Sequence, residues 1–311
     1  MTSQHTDTRH TGGGAHVHQH ADSSGSPDDI MTDLLDLDGE VLHDYWSAAL
    51  DWVSGAADGT RLLDLGAGTG TGALGLAERF PEAEVIAVDV EPGSLARLRD
   101  KAAGRGLTGR VRALEFDLDA GWPDLGPLDL TWASMSLHHL ADPGRVLGDA
   151  LAATRHGGLI AVAEFAQPLR FLPSDLGFGQ PGFEDRLAER LGRAHAEALP
   201  TLGSAWAPRL ADAGWEVIDE REFPIDLDPP KHPRAAEYAR AWFTRLAGGF
   251  TDQLEPADRA TLTALLAADG PGALSGGPSH GGSPGLSRGL SHGSDLHIRG
   301  TRTVTLARRA A

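Results

Sequence analysis

Between Arg61 and Phe165, short apolar runs alternate with stretches of helical spacing. RLLDL (61–65), EVIAVDV (84–90), RVRALEFD (110–117), LDLTWASMS (128–136) and LIAVAEF (159–165) are separated by segments such as GALGLAERF, SLARLRDKAAG and RVLGDALAATR. Runs this short and this apolar suit strands covered on both faces. Strands alternating with helices specify a parallel sheet with right-handed crossovers. The pattern predicts an α/β chain built on a Rossmann-like, doubly wound sheet. WEVIDEREFPIDL (215–227) adds a sixth strand and HIRGTRTVTLARR a last, β-branched one, about seven in all.

The segments outside this core divide the rest of the chain. Residues 1–30 are polar, without period, and read as a disordered tail. His16, His18 and His20 alternate within it, but nothing nearby fixes a geometry, so no metal site is expected. Residues 31–60 carry one amphipathic helix over 32–56, with Leu34, Leu42, Tyr45, Trp46, Leu50 and Val53 on its apolar side. Residues 61–165 form the core, and 166–311 hold helices, the last two strands and a Gly/Ser/Pro-rich stretch at 270–294 that reads as a flexible loop. A length of 311 residues suits one large α/β domain or two small ones.

Composition narrows the function. Asp plus Glu number 44 against 27 Lys plus Arg, a formal charge of −17. Such a surface repels phosphate backbones, so nucleic acid is not an expected partner. The absence of cysteine removes disulfides, thiolate metal sites and a Cys nucleophile. Neither a secretory signal nor an apolar run of membrane-spanning length is visible, and a cytoplasmic location is expected.

The turn after the first strand carries the most chemistry. A dinucleotide site needs G-x-G-x-x-G there, but Thr71 stands where the third glycine falls due. A literal match at Gly70, Gly72 and Gly75 lies four residues too late, inside the following helix. A phosphate loop needs a Gly-Lys-Ser/Thr ending, which is absent. The better register is Asp64-x-Gly66-x-Gly68-x-Gly70. Its carboxylate suits an ammonium group rather than a pyrophosphate, and its glycines let backbone approach a nucleoside closely.

This register resembles the first motif of class I S-adenosylmethionine-dependent methyltransferases, and further motifs follow in order. AVDVEP resembles the end of the second strand, EFDLDAG the end of the third, and Asp129-Leu130-Thr131 through Leu137-His138-His139-Leu140-Ala141-Asp142-Pro143 the fourth strand and its loop. Gly157-Gly158 precedes the fifth. The closing RGTRTVTLARR is similar to the last strand of actinobacterial small-molecule enzymes of this kind. The resemblance is strong over 40–165 and loose over 205–311. It implies an antiparallel last strand and a helical cover over the acceptor site.

It also implies S-adenosyl-L-methionine as cofactor, held by Asp64, Gly66, Ala67, Gly68, Thr69 and Gly70, by Asp89 and Val90, by Asp117 and Leu118, and by Ser134. Asp89 would offer two acceptors to two ribose hydroxyls. The implied activity is methyl transfer to a small molecule by in-line SN2 displacement, in which positioning lowers much of the barrier. The alternative is a non-catalytic S-adenosylmethionine-binding subunit of the same fold. His138 and His139 are candidate bases, with Glu164 a second choice. Loop packing is the competing role for both histidines. Tyr45, Trp46, Phe165, Phe171, Tyr238 and Trp242 are candidate acceptor contacts, with core packing as the competing role for each. A monomer or homodimer is expected. The residues leave open whether oxygen, nitrogen or carbon receives the methyl group.

Overall fold

The computed structural model describes residues 27–227, 232–267 and 296–310. The expected flexible loop at 270–294 and most of the expected tail lie outside them. Helix α1 (Pro27–Val41) starts inside the segment read as tail, so that boundary falls before residue 30. The single helix expected over 32–56 is two: Leu42 leaves helical geometry (φ −95°, ψ 24°), and α2 (His43–Ala56) follows. Gly39 weakens the helix just before the break. A side chain there would also collide with Thr71. The break lets Leu37 and Val41 on α1, and Tyr45 and Leu50 on α2, enter one core together.

The core elements then alternate: β1 (Arg61–Leu65), α3 (Thr71–Arg79), β2 (Glu84–Asp89), α4 (Pro92–Gly104), β3 (Val111–Glu115), β4 (Leu128–Ser134), α5 (Pro143–Ala153) and β5 (Thr154–Arg170). After them come α6 (Phe183–Ala198), α7 (Trp206–Asp212), β6 (Glu216–Leu227), α8 (Ala235–Phe250), α9 (Pro256–Leu266) and β7 (Ile298–Arg308). The seven strands form one sheet in the order β3-β2-β1-β4-β5-β7-β6. β1 to β5 pair in parallel, and β7 inserts antiparallel between β5 and β6.

Two elements differ from the sequence expectation. α5 stops at Ala153 rather than Arg155, and β5 begins at Thr154 and runs on to Arg170, well past Phe165. Its extension is held by β7, which pairs Gln167 with Thr301 and Arg170 with Arg299. A partner more distant in sequence than the whole of the alternating core leaves no local trace. β3 ends at Glu115, which places Asp117 in the following turn rather than on the strand.

Each face of the sheet has its own core. Leu62, Leu130, Trp132, Ala161 and Val304 face α1, α2, α3 and α8. Leu63, Leu65, Ala133, Ile160 and Val162 face α5 and α7. Fully burying a Leu or Val side chain contributes about 1.5–3 kcal/mol. That both faces are covered explains why the strands read as continuous apolar runs. Asp64, sharing its face with Leu62, is the carboxylate inside the apolar run of β1.

Candidate active site

The site forms at the carboxyl edge of β1, β2, β4 and β5, with β7 beside them. Such an edge is where open α/β sheets gather their ligands. After Leu65 the chain turns back on itself. The Gly66 and Ala67 amides both donate to Val88 O, at 2.8 and 2.9 Å. Gly66 has φ 70°, and a Cβ there would collide with Ser136. Only glycine satisfies both constraints. The Gly68 amide donates to Asp89 Oδ2 at 2.7 Å, and the Glu91 amide to Asp89 Oδ1 at 2.9 Å. Asp89 thus closes the glycine turn, and each of its oxygens keeps a second lone pair. Gly70 caps α3 in left-handed geometry, and Thr69 is buried beside it.

Asp64 is 2% exposed and its Oδ2 has no hydrogen-bond partner among the described residues. Burial pushes its carboxyl up to about 7; the charge of Asp89 adds to the rise and the Ala73 amide opposes it. A Cβ on Gly72 would meet both Asp64 Oδ2 and Trp132 Nε1, so these two polar atoms converge at the start of α3. Val90, at 62%, is the exposed large apolar residue among the described ones, and it directly follows Asp89. Asp117 is exposed and accepts the Asp119 amide at 2.9 Å, while Leu118 is buried behind it. The expected cofactor residues of strands one to three therefore surround one edge.

β4 leaves the sheet through a strained residue. Met135 has φ 56°, the positive value among non-glycine residues described. Its amide still donates to Ala163 O at 2.9 Å, and Ser136 Oγ donates to Leu65 O at 2.7 Å. Such conformations cost about 1–3 kcal/mol and persist where surroundings impose them. Here they aim the 3-10 turn Leu137–His139 at the edge of the sheet. His138 Nδ1 lies 2.7 Å from Glu164 Oε2, with the two residues 5% and 2% exposed. Glu164 Oε1 has no partner among the described residues. His139 lies against His138 at 4.1 Å between ring centres, the planes tilted by 41°, and is itself exposed. Close packing, and then the neighbouring His138, Arg245 and His195, push its imidazole down to about 4.

The cover is held by a residue that sequence reasoning missed. Asp38 on α1 accepts from Trp46 Nε1 (3.0 Å), Tyr238 Oη (2.7 Å), and Arg302 Nη1 and Nη2 (3.3 and 2.6 Å). It ties α1, α2, α8 and β7 into one unit. Arg302 is 2% exposed and lies over the Tyr45 ring at 4.7 Å, near Phe165 at 5.9 Å and Trp46 at 6.0 Å. The signal for both was a charge interrupting an apolar stripe: Asp38 among Leu34, Leu37 and Val41, and Arg302 between Ile298 and Val304. α1 also rests on the glycine turn, where a Cβ at Gly68 would touch Leu35.

The other expected acceptor contacts divide. Trp46 and Phe165 are half-buried at the edge, and Tyr45 lies beneath them. Phe171 is fully buried against Tyr238, Trp242 and Phe243, at 5.5 to 5.9 Å between ring centres. The structure does not bring Phe171 to the edge, and Tyr238 reaches it only through Asp38. A separate groove of about 610 Å³ lies at the opposite edge of the sheet, among Trp122, Arg155, His156 and Arg309, and contains none of these residues.

This sheet order, with a glycine turn after β1 closed by the acidic end of β2, defines the class I S-adenosylmethionine-dependent methyltransferase fold. Residues 62–158 match the methyltransferase-domain family, and that core of the chain is a methyltransferase domain of this class. A demethylmenaquinone methyltransferase of Thermus thermophilus is 42% identical over 109 residues, 35% of this chain and 48% of that protein. A 27-O-demethylrifamycin SV methyltransferase of Amycolatopsis mediterranei is 28% identical over 247 residues, 74% of this chain and 82% of that protein. The chain spans about half the length of most of the curated relatives it matches, 55% for a ubiquinone/menaquinone C-methyltransferase of Idiomarina loihiensis. Among solved structures, a candidate methyltransferase from Bacillus halodurans superposes with a TM-score of 0.51 at 16% identity, over 85% of this chain and 99% of that one.

Proposed function

We propose that this chain transfers a methyl group from S-adenosylmethionine to a small-molecule acceptor. The observation that carries the reading is the Asp89 clasp on Gly68, with Asp64 Oδ2 unpartnered among the described residues on one side and Val90 exposed on the other. The donor set fits the cofactor. The Asp64 oxygen suits its ammonium group, the spare lone pairs of Asp89 suit the two ribose hydroxyls, and Val90 offers an apolar surface to the base. Asp117 and Leu118 lie on the same side, beyond β3. When bound, the cofactor supplies an electrophilic methyl on a sulfonium, a good leaving group.

The protein's own contribution is placement and proton handling. The cover of α1 and α2 excludes water above the edge. Glu164, held against Nδ1, fixes the His138 tautomer with Nε2 free to accept a proton from an acceptor. His139, with its proton affinity lowered, stays neutral at physiological pH. The non-catalytic alternative has no support among the relatives named above.

The acceptor is a small molecule rather than nucleic acid, in keeping with the charge of −17. The protein works in the cytoplasm as a monomer or homodimer; no helix among the described residues is long and apolar enough to cross a membrane. Calorimetric titration with S-adenosylmethionine, S-adenosylhomocysteine and NAD tests the cofactor. Saturable binding of the first two and none of the third is expected; NAD binding alone would overturn the reading. Incubation with methyl-labelled cofactor and a small-molecule extract then tests transfer, with a product heavier by one methyl group expected.

A further inference from the structure

Buried polar atoms are nearly always hydrogen-bonded, and each exception calls for a reason. Three exceptions gather at one place here. Tyr45 Oη, Ser134 Oγ and Arg302 Nε are buried and have no hydrogen-bond partner among the described residues. Register puts them together. Ser134 pairs with Ala163, Phe165 pairs with Arg302, and Ala163 and Phe165 point to the same face of β5. Tyr45 descends on that face from α2, with its ring under the Arg302 guanidinium at 4.7 Å. Its hydroxyl lies close enough to Arg302 and to Ser134 for contacts that oppose the rise burial imposes on it, though neither has full hydrogen-bond geometry, while the Asp38 charge adds to that rise. Half-buried Trp46, Ser134 and Phe165 form the rim above.

We infer that Tyr45, Ser134 and Arg302 form the polar anchor of the acceptor site, and that the acceptor is a flat apolar molecule carrying an acidic oxygen, phenolic, enolic or carboxylic. The inference rests on the methyltransferase reading above. Three convergent donors, one of them cationic, match an oxygen that bears negative charge. The guanidinium is fixed by Asp38 through its two terminal nitrogens, which leaves Nε–H as the spare donor. Trp46 and Phe165 supply the apolar walls for a planar frame. Ser134, expected on sequence grounds at the cofactor, falls on the acceptor side of the edge in this assignment.

An anchor of this kind has a signature that a structural group lacks. Removing a buried polar atom that has no protein partner does not weaken the free protein, yet it weakens the ligand. The test uses the full chain and 2-naphthoate as probe, against the neutral, similarly shaped 2-acetylnaphthalene. Binding is read by tryptophan fluorescence with and without S-adenosylhomocysteine. The naphthoate is expected to bind saturably and at least about tenfold more tightly. Tyr45→Phe and Ser134→Ala should each weaken naphthoate about fivefold, leave the melting temperature unchanged or raised, and leave S-adenosylhomocysteine affinity unchanged. The paired change Asp38→Asn with Arg302→Gln, which removes both charges together, should abolish the preference for naphthoate. Equal binding of the two probes, no saturable naphthoate binding, or a lowered melting temperature with unchanged naphthoate affinity in Tyr45→Phe would overturn the assignment. Failure of S-adenosylhomocysteine to bind would overturn the methyltransferase reading instead, and the probe comparison without it still decides this one.

Discussion

The Asp89 carboxylate accepts the Gly68 amide at 2.7 Å, so the residue expected to bind ribose also holds the glycine turn in shape. Asp89→Ala removes a charged acceptor from both tasks. Hydrogen bonds to charged groups contribute about 1.5–3 kcal/mol, so cofactor affinity should fall roughly ten- to a hundredfold. Calorimetry measures this, and the melting temperature should fall as well. Asp89→Asn keeps an acceptor for Gly68 but sets its amide nitrogen against the Glu91 amide, and should recover part of the thermal loss while recovering little of the affinity.

Asp64 makes stability depend on pH in an unusual direction. Its folded-state carboxyl titrates near 7, against 3.8 as its ordinary value. Between those values the folded state holds a proton that the unfolded chain has released. Stability should therefore fall as pH rises from about 4 to 7, and the loss is complete above 7. Asp64→Asn should flatten that slope and stabilise the free protein above pH 7, on the order of a few kcal/mol. An ammonium group beside Asp64 favours its ionised form. Cofactor binding near pH 6.5 should accordingly release a proton, which calorimetry in buffers of different ionisation enthalpy detects.

His138 and Glu164 lie 2.7 Å apart and almost without exposure. As an acid–base pair they predict that His138→Ala lowers turnover about 10²–10⁴-fold while cofactor affinity persists. Glu164→Gln keeps a hydrogen-bond partner for Nδ1 but no longer fixes the tautomer, so its loss should be smaller. Single-turnover methyl transfer separates this from a packing role, which would lower the melting temperature and leave turnover intact.

Gly66 tests the turn itself. With φ 70° and Ser136 where a Cβ would go, Gly66→Ala combines backbone strain with a collision. A destabilisation of about 2–4 kcal/mol is expected by urea denaturation, together with loss of cofactor binding.

The sequence disclosed what is encoded locally. β1 matched RLLDL because both faces of that strand are buried, and Asp64 was conspicuous as a charge within it. Asp89 and Gly66 were legible because strand exit and turn chemistry leave short-range marks. What stayed hidden depends on distant partners. The break at Leu42 places two helices in one core, and the extension of β5 to Arg170 needs β7 beside it. Met135 carries no residue-type cue for φ 56°, since its neighbours impose it. Asp38 and Arg302 were missed: each is a charge in an apolar stripe, but 264 positions separate them, and only the fold brings the two charges together.

The position of β7 sets an order of assembly. β1 to β5 can pair as soon as their crossovers form, whereas β6 touches only β7 in the sheet, and β7 is made after it. On a ribosome the glycine turn after β1 is made while β6 still lacks its neighbour. Arg302 travels with β7, and Asp38 waits without a counter-charge until it docks. The growing chain therefore completes its glycine turn well before the closing strand brings Arg302 to Asp38.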